Sequence, residues 1–241
     1  ISTPIGFVGS GLGGGVELTL ISIVRGLLEI GHEVVVIAPK GSRLPPGCSG
    51  VKLIHCEGED QTSWQHLDER APVSIPSGGV LPKLWEQALE IGLSADAILN
   101  FSYDWLPIWI TPFVKPNIFH LISMGAVSEA IRNIVREVGR LRPNRFAFHT
   151  SRQAFDYGLD FHPAILGNGF DLDDYEFQSS EGGPLGWAGR IAPEKGLEDA
   201  VLVASSLKDK LLVWGLMEDI NYAKSIEQSV LPGTIQWKEF Q

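Results

Sequence analysis

Short runs of branched apolar residues alternate along the chain with longer stretches in which apolar positions recur every three or four residues. Ile5–Gly9 reads as a buried strand bounded by Pro4 and a glycine loop. Residues 16–30 read as a helix, with Ser22, Arg25 and Glu29 spaced as its polar edge and most other positions apolar. Gly31 is placed to end that helix as a left-handed cap. HEVVVIAP (32–39) follows as a second strand, and its consecutive β-branched residues suit burial on both faces, as in a parallel sheet. VKLIHC (51–56) reads as a third. Residues 57–79 are polar and carry Pro and Gly, which predicts a long loop of a length that is more often functional than neutral. A helix near 80–92, the strand DAILNF, the strand NIFHLI, a helix near 126–139 and the strand RFAFHT continue the alternation. Ser151 is placed to cap a short helix.

The pattern then restarts. Asn168-Gly169 is a turn signal, and 171–184 is acidic and polar, as an exposed linker would be. Beyond it come the strand LGWAG, a helix near 194–207, the strand KLLVWG, a helix near 218–228 and the strand GTIQW. This predicts an α/β protein of two Rossmann-like, doubly wound domains, residues 1–165 and 166–241. Right-handed crossovers would set the glycine-rich turns at the carboxyl ends of their strands, where open α/β sheets bind ligands.

Composition narrows the function. The 241 residues are 44% hydrophobic and 20% charged, ordinary for a globular protein, with a formal net charge of −10. That balance argues against a protein whose main task is gripping nucleic-acid backbone. The two cysteines, Cys48 and Cys56, form no C-x-x-C pair and read as reduced and incidental, so the chain is expected to be cytosolic. No apolar run is long enough to cross a bilayer, no secretory signal pattern is present, and no metal-ligand cluster is evident.

Two segments carry candidate chemistry. Gly9, Gly11 and Gly14 satisfy G-x-G-x-x-G, and Gly13, Gly14 and Gly15 run into a helix. Glycine backbone can approach an anion closely, and the helix offers unpaired N–H groups. A dinucleotide site would also need an acidic residue at the end of the second strand. Pro39, Lys40, Gly41, Ser42 and Arg43 stand there instead, so NAD is disfavoured, while Lys40 or Arg43 leaves an NADP-dependent oxidoreductase open. The second segment, GWAGRIAPEKGLEDAV, sets Arg190 just after a strand and Lys195 near the start of the next helix. A planar guanidinium and a compact ammonium so placed suit one diphosphate. Glu194 between them matches the positive end of the helix dipole.

GLGGGVE, GNGFD and above all GRIAPEKG resemble the GT-B glycosyltransferases of the glycosyltransferase family 4 type, in order and spacing across the whole chain. The resemblance implies two Rossmann-like domains facing each other across a cleft, a nucleotide-diphosphate sugar bound mainly by the second and an acceptor mainly by the first. It implies sugar transfer with retention of configuration and without a metal. UDP is the first choice of nucleotide, with a glycan or lipid-linked sugar as acceptor and no further cofactor. Carried over by position, Arg190 and Lys195 bind the donor diphosphate and stabilise the leaving group. Gly13, Gly14 and Gly15 approach the donor phosphate and acceptor. His120 ends a first-domain strand beside the reacting sugar, although a lone histidine in an apolar strand otherwise reads as a satisfied core residue. Asp104 is an acceptor-side candidate or a helix cap. His149 and His162 read as structural.

The family's second domain normally runs on to a segment carrying two glutamates eight positions apart, and the sequence stops at IQWKEFQ before such a segment, so the second domain is expected to be incomplete. Poor activity or self-association of the 1–241 polypeptide is the corresponding expectation. A nucleotide-sugar-binding module without turnover is therefore a third reading. The protein is expected in the cytoplasm, at most peripheral at the inner membrane face, since no basic amphipathic helix offers an anchor.

Overall fold

The computed structural model describes residues 1–169, 172, 176–177, 179 and 182–238, the side chain of Glu194 excepted. Phe170 and Asp171, which close the GNGFD segment, part of the expected 171–184 linker, and the expected role of Glu194 lie outside the described residues. The chain divides into two compact units, Ile1–Tyr175 and Glu176–Gln241. The first extends past residue 165 because Leu166 N still donates to Phe148 O at 2.9 Å, on the sheet of that unit.

In the first unit, α1 (Gly15–Glu29), β1 (Val35–Pro39), β2 (Lys52–Cys56), α2 (Val80–Gly92), β3 (Ile98–Asn100), α3 (Trp105–Ile110), β4 (Ile118–Ile122), α4 (Glu129–Leu141), β5 (Phe146–Phe148), α5 (Ser151–Asp156) and β6 (Ala164–Ile165) follow in order. β1 pairs with β2, and β3–β4–β5–β6 form a second ladder, every pair parallel. Residues Ile1–Thr3 join the two ladders. Ser2 N donates to Ile37 O of β1 at 3.0 Å, while Ile1 O accepts from Phe101 N, just past β3, at 3.0 Å. The expected strand at Ile5–Gly9 is therefore corrected: the strand position belongs to residues 1–3. Pro4 offers no N–H, and Gly6 turns the chain with a positive φ of 66°. Val8 is nevertheless buried, its N–H held by Ser42 Oγ at 2.9 Å.

Alternation along β1 shows why this sheet is covered on both faces. Val36 and Ala38 pack with Leu20 and Val24 of α1, whereas Ile37 packs with Leu81, Leu84 and Trp85 of α2. Successive strand residues point to opposite faces, so a run of apolar residues needs a helix on each side. Each Val, Leu or Ile side chain among them contributes about 1.5–3 kcal/mol by leaving water. A further cluster sets Ile131, Ile134, Val135 and Val138 of α4 against Phe146 and Phe148 of β5. α4 begins where Ser128 Oγ accepts from Ile131 N at 3.4 Å. α5 is capped by Thr150, whose Oγ1 accepts from Gln153 N at 3.1 Å, one residue before the expected cap at Ser151.

The second unit holds β7 (Leu185–Ala188), α6 (Leu197–Leu207), β8 (Leu211–Trp214), α7 (Ile220–Gln228) and β9 (Ile235–Lys238), with the strands parallel in the order β7–β8–β9. Leu197, Val201 and Ala204 of α6 and Ala223 and Ile226 of α7 join Leu211 and Val213 of β8 in one cluster.

Candidate functional site

At the carboxyl edge of the second sheet two turns are laced together. Gly189 N donates to Trp214 O at 3.0 Å, Ile191 N to Leu216 O at 2.9 Å, and Asp219 N to Ile191 O at 3.2 Å. The turns approach so closely that a Cβ on Gly215 would stand 1.7 Å from Gly189 O, a position only glycine fills. From this frame Arg190 Nη1 donates to Glu218 Oε2, the two side chains being 27% and 26% exposed. Pro193–Lys195 then forms one 3-10 turn, and Gly196, at φ 64° and ψ 37°, makes the left-handed step into α6. Arg190 and Lys195 thus stand at the two ends of one strand-to-helix connection, Arg190 oriented by a carboxylate and Lys195 exposed. Glu218 carries no motif signal in the sequence. Its place follows from the sheet, which sets the ends of β7 and β8 side by side.

The glycine loop of the first unit is organised from within. Glu17, on the first turn of α1, is 8% exposed, and its carboxylate accepts from Gly9 N at 2.7 Å, Gly13 N at 2.7 Å and Ser10 Oγ at 3.3 Å. One side chain therefore supplies the anion to which a glycine loop is suited. Gly13 has its N–H committed, and a Cβ there would meet Glu17 Cγ at 2.7 Å. Open space surrounds the Cβ directions of Gly14 and Gly15, so of the three glycines these two leave room for a ligand. The one signal that Glu17 gives in the sequence is an acid on the first turn of the helix that follows the glycines.

His120 lies inside β4, 1% exposed. Asn100 Nδ2 donates to its Nδ1 at 2.9 Å, and its Nε2–H faces Thr111 Oγ1 at 2.8 Å, whose own hydroxyl donates to Pro107 O at 2.8 Å. Its ring stacks on Phe146 with centroids 5.1 Å apart. Burial, with the Arg145 guanidinium adding to it, holds the imidazole down to a pKa of about 3. The expected contact with a reacting sugar does not fit this geometry, because both nitrogens are spent inside the core and the ring stays neutral. Asp104 is likewise internal. At 1% exposure it caps α3, accepting from Leu106 N at 3.4 Å, and also accepts from Gln61 Nε2 at 2.9 Å and Trp64 Nε1 at 3.0 Å. Burial raises its carboxyl group above the usual range, opposed by the Trp64, backbone and Gln61 hydrogen bonds. It ties the long 57–79 segment to the sheet.

Lys40, a candidate for a 2′-phosphate, pairs with Glu57 at 2.7 Å on the surface. A cavity of about 650 Å³ lies at the amino ends of β3–β5, beside Asn117, Phe119, Arg142 and Arg145, and touches none of the candidate residues. Ligands of open parallel sheets belong at the opposite edge. At that edge of the first unit, just past β4 and β5, Ser123 Oγ and His149 Nε2 stand 3.0 Å apart, an arrangement the spacing of the two residues did not announce. Among the described residues no group of three or more His, Cys, Asp or Glu side chains could hold a metal ion, and no helix is long and apolar enough to cross a membrane.

The chain is thus built of two α/β units with parallel sheets, and the turns that carry the candidate residues stand at the carboxyl edges. Among solved structures it is similar to AviGT4, a glycosyltransferase involved in avilamycin A biosynthesis, with a TM-score of 0.58 over 94% of this chain and 17% identity. The chain spans 56% of that protein's length. No protein-family model and no curated protein sequence matches it.

Proposed function

We propose that the protein transfers a sugar from a nucleotide-diphosphate donor, UDP-linked in first choice, to a hydroxyl of a glycan or lipid-linked acceptor, with retention and without a metal. The observation that carries the reading is the segment Gly189–Gly196, held at the carboxyl edge of a parallel sheet with Arg190 oriented by Glu218. The fold likeness to a glycosyltransferase supports it. In this mechanism the guanidinium of Arg190 and the ammonium of Lys195 bind the diphosphate. As the bond from the sugar C1 to the phosphate oxygen breaks, negative charge grows on the leaving group. Fixed cations stabilise that charge more than they stabilise the intact donor, which is what lowers the barrier. Glu218 keeps the guanidinium pointed without consuming all its donors, since a guanidinium carries five N–H groups. Gly14 and Gly15 supply the backbone that approaches the donor phosphate and acceptor. His120 holds β3 and β4 in register from inside and takes no part in the chemistry.

Calorimetric titration with UDP, GDP, ADP and NADPH tests this reading. A nucleoside diphosphate is expected to bind, and Arg190→Ala or Lys195→Ala to weaken it by about 2–5 kcal/mol. Binding that ignores both substitutions, or NADPH binding alone, overturns it.

A further inference from the structure

Ser123 follows the last residue of β4 and His149 follows the last residue of β5. Their side chains meet at the carboxyl edge of the first sheet, both half-buried, with Oγ 3.0 Å from Nε2. The other ring nitrogen of His149, Nδ1, lies 3.0 Å from Gly167 O. A carbonyl oxygen only accepts, so Nδ1 carries the proton, and in the neutral ring Nε2 is then a bare lone pair. The Ser123 hydroxyl donates to it. A hydroxyl, a basic nitrogen and a third group that fixes the tautomer make up the arrangement by which proteins activate an oxygen.

The surrounding residues hold this pair in place. Gln153 Oε1 accepts from His149 N at 3.1 Å, and Gln153 Nε2 donates to Ile122 O and Met124 O, both at 2.9 Å, gripping the backbone on either side of Ser123. Tyr157 Oη reaches Met124 O and Gly125 O, both at 3.2 Å, and lies 2.8 Å from Tyr103 Oη. Side chains braced in this way lose little further freedom when a ligand arrives.

We propose that Ser123 and His149 form a proton-accepting pair for a ligand hydroxyl. The step rests on the sugar-transfer reading above. The acceptor O–H gives its proton to Ser123 Oγ while Ser123 gives its own to His149 Nε2, and the resulting imidazolium keeps its Nδ1–H on Gly167 O. The freed acceptor oxygen forms its bond to the sugar C1 on the face from which the donor phosphate leaves, as retention requires, while the bond from C1 to the phosphate oxygen breaks. The nucleoside diphosphate leaves with the electron pair, and His149 returns its proton to the leaving phosphate or to water.

Two measurements on the whole chain separate this pair from the reading it rests on. Nitrogen-15 histidine spectra of the neutral ring are expected to show His149 protonated on Nδ1 and bare on Nε2, the signal being assigned by its loss in His149→Asn. An Nε2–H signal for His149 overturns the pair whatever the substrate. In turnover, nucleoside diphosphate release is followed from UDP-, GDP- and dTDP-sugars with mixed oligosaccharide and lipid-linked acceptors. His149→Asn keeps a donor for Gly167 O and removes the acceptor nitrogen, so kcat is expected to fall about 100-fold or more. Donor KM should stay within about threefold. Ser123→Ala, which lets a ligand hydroxyl face Nε2 directly, should lose less. Wild-type kcat in His149→Asn overturns the proposal. A wild-type protein that turns over none of these donors sinks the transfer reading alone, and the nitrogen spectrum still decides the pair.

Discussion

Two histidines, one inside β4 and one just past β5, stand in opposite states. His120 receives a hydrogen bond at Nδ1 and carries its proton on Nε2, sealed in the core, whereas His149 carries its proton on Nδ1 and presents Nε2 at the sheet edge. Their surroundings, not their sequence neighbours, set the difference. For His120 the consequence is a pH dependence with a definite sign. Its pKa falls from an ordinary value near 6.5 to about 3 on folding, through burial first and the Arg145 charge second. Between those values the unfolded chain binds a proton that the folded chain refuses. Stability is therefore whole above about pH 6.5 and declines as pH falls toward 3, with a slope approaching about 1.4 kcal/mol per pH unit. Urea unfolding at about pH 6.5 and about pH 5, where exposed carboxylates are still mostly ionised, should differ by about 1–2 kcal/mol. His120→Gln, less stable at both, should lose that difference. An unchanged difference in the variant would show that another group titrates.

At the scale of elements, the glycine loop and α1 act as one unit, and Glu17 is the link. Gly13→Ala drives a Cβ into Glu17 Cγ at 2.7 Å and Thr3 Cγ2 at 3.0 Å, so it should cost about 1–3 kcal/mol. Gly15→Ala meets open space at the first residue of α1 and should leave stability unchanged. If Gly15→Ala nonetheless weakens nucleotide binding or turnover, the loop touches the ligand; thermal melts beside calorimetric titrations read both. Most elements were legible as periodicity. The helix expected near 80–92 is α2 at Val80–Gly92, and DAILNF, NIFHLI and RFAFHT contain β3, β4 and β5. The first strand was not, because Ile5, Phe7 and Val8 look like a strand while Gly6 turns the chain. Arg190 and Lys195 could be picked out as candidates because they share one short segment. Glu218 and the Ser123–His149 pair could not, because each acquires its partner only when the sheet sets separate strand ends side by side. Glu17 could not either, because an acid on the first turn of a helix does not announce that it turns back onto the loop before it.

At the scale of the whole molecule the two units differ in the means of their stability. Among the described residues, three apolar clusters, centred on α1, α2 and α4, lie in the first unit, and one, between α6, α7 and β8, in the second. Smaller units bury a smaller fraction of their surface and are closer to marginal. Heating the whole chain in a scanning calorimeter should therefore resolve two transitions, the lower belonging to Glu176–Gln241. A ligand that binds only the folded form of one unit stabilises that unit by mass action, about 2.7 kcal/mol at a concentration a hundred times its Kd. If Arg190 and Lys195 hold the diphosphate, UDP or its best-binding analogue should raise the lower transition and leave the upper one nearly in place. Arg190→Ala should abolish the shift. A ligand that raised only the upper transition would place the diphosphate in the first unit and move the search to the Gly14–Gly15 turn. One that raised both transitions would show that residues of both units meet the ligand, and the Arg190→Ala comparison would then locate the phosphate.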